Sequence, residues 1–252
     1  MLKSAGKRIT EILLGLGVWP ACVMVSVQFV FMVNLQVTLR LIILFVTFFG
    51  TLSVYALDRT LEKRVGFKLA RRHYHHILLT AVVLIFTFIF LIFLIQHITS
   101  REMRWLIILV LAGSLYLSMT SGLIKLVPGV KELLGAALFT WLCLGLVAGN
   151  NKLLYSSFFM MAWSNFIWSG FFDRDRDRKN NLRSLAVIYG KKTVFFARLT
   201  AFLSIPGYVI VGVPLSLIGV SVLHGVWPKH LPQVDCAFMP VVCHALLLLL
   251  FA

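Results

Sequence analysis

The chain is built from long apolar runs separated by short polar breaks, and that pattern alone restricts it to very few folds. The runs fall near 11–33, 37–57, 75–96, 103–122, 132–150, 153–172, 193–222 and 237–252. A bilayer core needs about 20 apolar residues per helix, a length that most of these runs reach. They are continuous rather than alternating, so helices that satisfy their own backbone are expected, not the strands of a barrel. The expectation is an all-α, polytopic transmembrane bundle of about eight to nine spans, forming a single domain over residues 1–252. The seventh run carries Pro206, Gly207 and Pro214, which predicts a kink or two short segments. The last run, ending at Ala252, reads as an incomplete helix. With 60% hydrophobic and 13% charged residues, the composition excludes soluble enzyme classes.

The net charge of +15 has to be read against that background. The basic residues sit in short loops beside apolar runs, with no separate basic domain, so anionic headgroups or an anionic substrate are expected partners and nucleic acid is not. With the N-terminus inside, 19 of the 24 Lys and Arg residues fall on one face of the membrane, which assigns that face to the cytoplasm. The basic segment Met1 to Thr10 lacks a small-residue cleavage site and reads as the start of the first anchor rather than a signal peptide. Cys22, Cys143, Cys236 and Cys243 form no CxxC pair and read as small buried residues.

Acidic residues are few, and their placement is informative. Five of the nine, Asp58, Glu62, Asp173, Asp175 and Asp177, lie in two stretches where an apolar run meets a basic loop. Both stretches fall at the inner ends of helices, in the second and sixth spans, where the helix dipole disfavours carboxylates and favours a cation. Two neutralising partners fit. One is the interleaved arginines, Arg59, Arg174, Arg176 and Arg178, in a solvated cluster. The other is a divalent metal, since Mg²⁺ takes one or two carboxylates and completes its shell with water and phosphate oxygens. Asp58 and Glu62, like Asp173 and Asp177, are i,i+4 neighbours if the helix continues through them, so each pair would project from one face.

Asn165, Ser169 and Asp173 make a polar stripe down the sixth span, surrounded by Trp163, Phe166, Trp168, Phe171 and Phe172, with Tyr55 and Tyr116 on the second and fourth. Asn165 fits either an interhelical hydrogen bond or a substrate contact. The rings fit a membrane-boundary belt or the wall of an apolar tunnel able to stabilise a cation. The stretch His73-Tyr74-His75-His76 reads as a headgroup-binding segment in preference to a transition-metal site.

Asp173-x-x-x-Asp177, followed by Lys179, Arg183-Ser184-Leu185-Ala186 and Gly190, resembles the second aspartate motif of the UbiA superfamily of intramembrane prenyltransferases. Asp58-x-x-x-Glu62 lies where that family carries its first motif, and Lys125, Pro128 and Lys131 lie in the loop where it carries basic residues. The resemblance extends to about residue 225. The chain departs from the pattern at Val54, where the family motif has asparagine, at Glu62 in place of aspartate, and in a span count below the family's usual nine helices.

The resemblance implies transfer of a prenyl group from an allylic diphosphate to a small, aromatic or quinone-like acceptor within the membrane. It implies Mg²⁺ held by Asp58, Glu62, Asp173 and Asp177, with Asp58, Asp173 and Asp177 catalytic. It further implies that Arg71, Arg72, Lys125 and Arg183 neutralise the diphosphate and that Tyr55, Tyr116 and Asn165 line the substrate path, with Asp175 an accessory charge. The implied site faces the cytoplasm. Val54 and Glu62 also suit an alternative, a catalytically inactive isoprenoid-binding or assembly protein of the same fold, and a small transporter is a further alternative.

Overall fold

The computed structural model describes residues 17–37, 40–64, 72–96, 98–120, 128–179, 183–228, 234 and 236–251. Among these, eleven helices and no strand are found: α1 Val18–Asn34, α2 Leu41–Arg64, α3 Arg72–Gln96, α4 Ser100–Thr120, α5 Val130–Leu144, α6 Lys152–Phe172, α7 Arg174–Lys179, α8 Leu185–Tyr189, α9 Lys192–Val211, α10 Leu215–Val226 and α11 Met239–Phe251. Ser100–Met119 and Lys192–Val211 are each long and apolar enough to cross a membrane, and shorter apolar helical stretches cover Val18–Asn34, Leu41–Leu57, Thr80–Gln96, Leu215–Val226 and Met239–Phe251. Large apolar side chains also face outward. Phe88, Leu111, Phe195, Ile210 and Leu215 are each more than half exposed, an outer surface suited to lipid and costly in water.

Helix ends follow local chemistry. Gly17 (φ 74°) and Gly129 (φ 82°) precede α1 and α5 in the left-handed region that glycine enters without strain. At 129 a Cβ would also stand 2.7 Å from the Leu185 side chain, so α5 starts against the first residue of α8. The side chain of Asn151 accepts the Leu154 N–H (3.0 Å), capping α6. The long seventh run is two helices, α9 and α10, separated at Gly212 (φ 73°) and Pro214; Pro206 is accommodated inside α9. The reason is that Gly212 closes α9 as a left-handed cap, and Pro214 follows it.

Among the described residues, packing forms three buried clusters, a large one and two smaller ones. In the first, α6 lies along α9, with Gly207 letting the backbones approach at Ser157 and Ser164 Oγ donating to the Ala197 carbonyl (2.7 Å). This pair joins α1, α5, α10 and α11 around Phe31, Phe139 and Phe158, whose rings meet edge-on (5.5 Å) and stacked (5.4 Å). In the second, Ile43, Val46, Leu94, Trp105 and Leu146 form a smaller core. There Trp105 and Trp141 each donate the indole N–H to the other's carbonyl, both at 3.2 Å.

Among the described residues no cysteine is paired: Cys143 is buried and Cys22 half-buried, whereas Cys236 and Cys243 are exposed. The expectation that all four are buried therefore fails for the last two, because α11 packs one face on α1 and α10 and leaves Cys243 on the other.

Candidate active site

A cavity of about 420 Å³ lies where α2, α4, α5 and α6 converge, with Met24 of α1 and Thr87 and Leu91 of α3 completing its wall. One end is polar, lined by Tyr55, Lys131, Glu132, Ser169 and Asp173; the other is apolar, lined by Val46, Leu106, Leu142 and Trp105. Between Tyr116 and Trp105 the cavity follows α4 for about 16 Å at 1.5 Å per residue. Its apolar end abuts the packed core around Trp105, which is 1% exposed.

The polar end is assembled by three helix termini. α6 ends at Asp173, which is its C-cap and lines the cavity. The backbone then turns and restarts as α7, keeping the bond from the Asp177 N–H to the Asp173 carbonyl (2.8 Å). The break turns Asp177 inward. It is 3% exposed, and its Oδ1 accepts from Lys131 Nζ at 3.1 Å. Its Oδ2 is buried and has no hydrogen-bond partner among the described residues. Asp175, between the two, is exposed and pairs with Arg174 at 3.4 Å, so it belongs to the surface.

Lys131 and Glu132 open α5. Glu132 is 2% exposed, and its Oε1 accepts the Leu185 N–H at 2.9 Å, joining α5 to α8. A Cβ at Gly170 would lie 3.0 Å from that oxygen, so a glycine on α6 makes room for the carboxylate. Gly135, one turn further along α5, receives the edge of Phe166, whose ring meets Tyr116 at 6.4 Å.

Of the residues singled out from sequence, Tyr55, Tyr116, Phe166, Ser169 and Asp173 line this cavity, as does Lys131, through which Asp177 joins it. Asp58 and Glu62 lie in the last two turns of α2, four and eight positions after the cavity-lining Val54. Arg72 begins α3, while Arg71 and Lys125 lie outside the described residues.

Arg183 and Asn165 are not among the residues of the cavity wall. Arg183 is exposed, and its carbonyl accepts the Gly129 N–H (3.2 Å). Asn165 faces α10: His224 donates from Nδ1 to the Val220 carbonyl (2.9 Å) and turns Nε2 to the Asn165 amide group (3.1 Å), an interhelical contact. Glu132 was not singled out from the sequence. The available signal was an acidic residue at the mouth of an apolar run in a chain with only nine.

No protein-family model matches the chain. No curated protein matches it either. Among solved structures, that of a digeranylgeranylglyceryl phosphate synthase is similar at 17% identity, with a TM-score of 0.55 and 96% of each chain covered. The all-helical architecture of this chain is therefore similar to the fold of that synthase over nearly its whole length.

Proposed function

We propose that the protein is a membrane enzyme that transfers a prenyl group from an allylic diphosphate to a small acceptor with a nucleophilic hydroxyl or aromatic ring. The observation carrying this reading is the polarity of a single cavity, charged where α5 begins and α6 ends and apolar along α4. An allylic diphosphate has the same division, and the fold is similar to that of the synthase.

The donor set at the polar end fits Mg²⁺. Asp177 presents a buried carboxylate oxygen with no partner among the described residues, and Asp173 stands one turn earlier at the cavity wall. Asp173, Asp177, Asp58 and Glu62 are the residues that would hold the ion. When bound, Mg²⁺ supplies positive charge for a diphosphate leaving group.

The chain's own groups complete the work. Lys131 places an ammonium at the wall and neutralises phosphate oxygens as charge moves onto the leaving group. Arg72 and, outside the described residues, Arg71 and Lys125 would supply further positive charge. Tyr55, Tyr116 and Phe166 present ring faces and edges that shelter an allylic cation while the apolar walls exclude water. Leu106, Leu109 and Leu142 hold the tail.

Transfer of label from radiolabelled geranyl diphosphate, with Mg²⁺, tests this. Asp173→Ala and Asp58→Ala are each expected to abolish product, whereas unchanged transfer in both removes the role assigned to the acids. One observation favours an isoprenoid binder without turnover: Val54, in place of the motif asparagine, lines the cavity. Mg²⁺-dependent retention of the diphosphate with no product would support that second reading.

A further inference from the structure

Glu132 is a cavity-wall carboxylate whose free oxygen lacks a donor. Its Oε1 is held by the Leu185 N–H, while Oε2 is buried with no hydrogen-bond partner among the described residues. The neighbouring ammonium is already engaged, since Lys131 Nζ sits on Asp177. A buried acceptor without a partner is costly, yet three elements combine to keep this one in place: α5 carries it, α8 orients it and Gly170 of α6 clears its space. Among the described residues, no three acidic, His or Cys groups are arranged to share one metal ion. One helical turn away, Gly135, Phe166 and Tyr116 form an aromatic wall.

We propose that Glu132 receives the hydroxyl of the acceptor, binding it and taking its proton as the new bond forms. The proposal rests on the prenyl-transfer reading above and narrows the acceptor to a flat or ring-bearing alcohol or phenol. In the step, the donor C1–O bond breaks with its electron pair leaving on the diphosphate. The acceptor oxygen gives a lone pair to C1, forming an ether, and its proton passes to Glu132 Oε2. The products are the prenyl ether, diphosphate and a protonated Glu132 that later releases its proton to water.

The test uses the full chain in lipid nanodiscs with 1-naphthol and its methyl ether, 1-methoxynaphthalene, which lacks the transferable proton. Wild type is expected to bind naphthol about tenfold or more tightly than the ether, the worth of one hydrogen bond to a charged acceptor. Glu132→Gln keeps a carbonyl oxygen for the Leu185 N–H. It is expected to bind both probes alike, to lose transfer from geranyl diphosphate to naphthol by about 10²- to 10⁴-fold, and to lose the acid limb of the pH–kcat/KM profile.

Retention of geranyl diphosphate with Mg²⁺ should be unchanged in that variant. Gly170→Ala, which crowds the carboxylate, should raise the KM for naphthol without weakening donor retention; it serves where Glu132→Gln does not fold. Equal binding of naphthol and ether by wild type, wild-type transfer by Glu132→Gln, or a parallel loss of donor retention would each overturn the proposal. If wild type retains no donor but still discriminates the probes through Glu132, the prenyl-transfer reading fails and the hydroxyl site stands.

Discussion

Replacing Lys131 with methionine isolates the buried ion pair on which the polar end of the cavity depends. The side chain of Asp177 is 4% exposed and that of Lys131 is 25% exposed, so the pair lies between a solvated contact and a fully buried one. Exposed pairs contribute about 0–1 kcal/mol, and removing one partner of a buried pair costs about 3–5 kcal/mol. Because Asp177 Oδ2 has no hydrogen-bond partner among the described residues, loss of the ammonium leaves both oxygens unpaired in a buried position. We expect Lys131→Met to destabilise the protein by about 2–3 kcal/mol, and Asp177→Asn in that background to recover most of the loss. The assay is a double-mutant cycle by equilibrium unfolding in mixed micelles. The predicted coupling energy is at least about 1.5 kcal/mol, well beyond the few tenths expected of independent sites. Mg²⁺ should also raise the midpoint of Lys131→Met more than that of wild type, since the carboxylate is then free to take an ion. Additive effects, or a single-variant loss below about 0.5 kcal/mol, would refute the reasoning.

Two further perturbations act away from the polar end. At the opposite end of α2, Arg40 Nη1 donates to Glu102 at 2.6 and 2.7 Å, and Glu102 also accepts the Thr99 N–H and hydroxyl. Arg40→Ala should cost about 2–3 kcal/mol in the same unfolding assay, leaving Glu102 at 5% exposure with only its Thr99 partners, and should leave the donor KM unchanged. Gly207→Ala should cost about 1–3 kcal/mol because a methyl there collides with Ser157, and Ser157→Gly should restore much of it.

Continuous apolar runs are enough to specify helices here, because a backbone surrounded by apolar side chains has to satisfy itself. Gly212 and Pro214 carry the break between α9 and α10 in their own conformational preferences. The acids of the second stretch stand out because so few exist, and Asp173 proves to line the cavity. Asn165 illustrates a limit: its position in a polar stripe suits a cavity or a neighbouring helix, and only the arrival of His224 from α10, 59 residues later, decides between them. Glu132 illustrates another. Beside Lys131 it reads as a solvated charge pair, and its burial comes from two distant contacts, the Leu185 N–H and the bare backbone of Gly170, which leave no periodic trace. The role of Lys131 as partner to Asp177 depends likewise on the turn after α6.

The most direct test of where the substrate lies is photo-crosslinking with a geranyl diphosphate analogue bearing a diazirine at its terminal carbon, in the presence of Mg²⁺. The account predicts adducts on Leu106, Leu109 or Leu142, at the apolar end of the cavity, competed by unlabelled diphosphate and lost in Asp173→Ala. Adducts confined to the outward-facing side chains of α9, α10 or α11, unaffected by competitor or by that substitution, would contradict it.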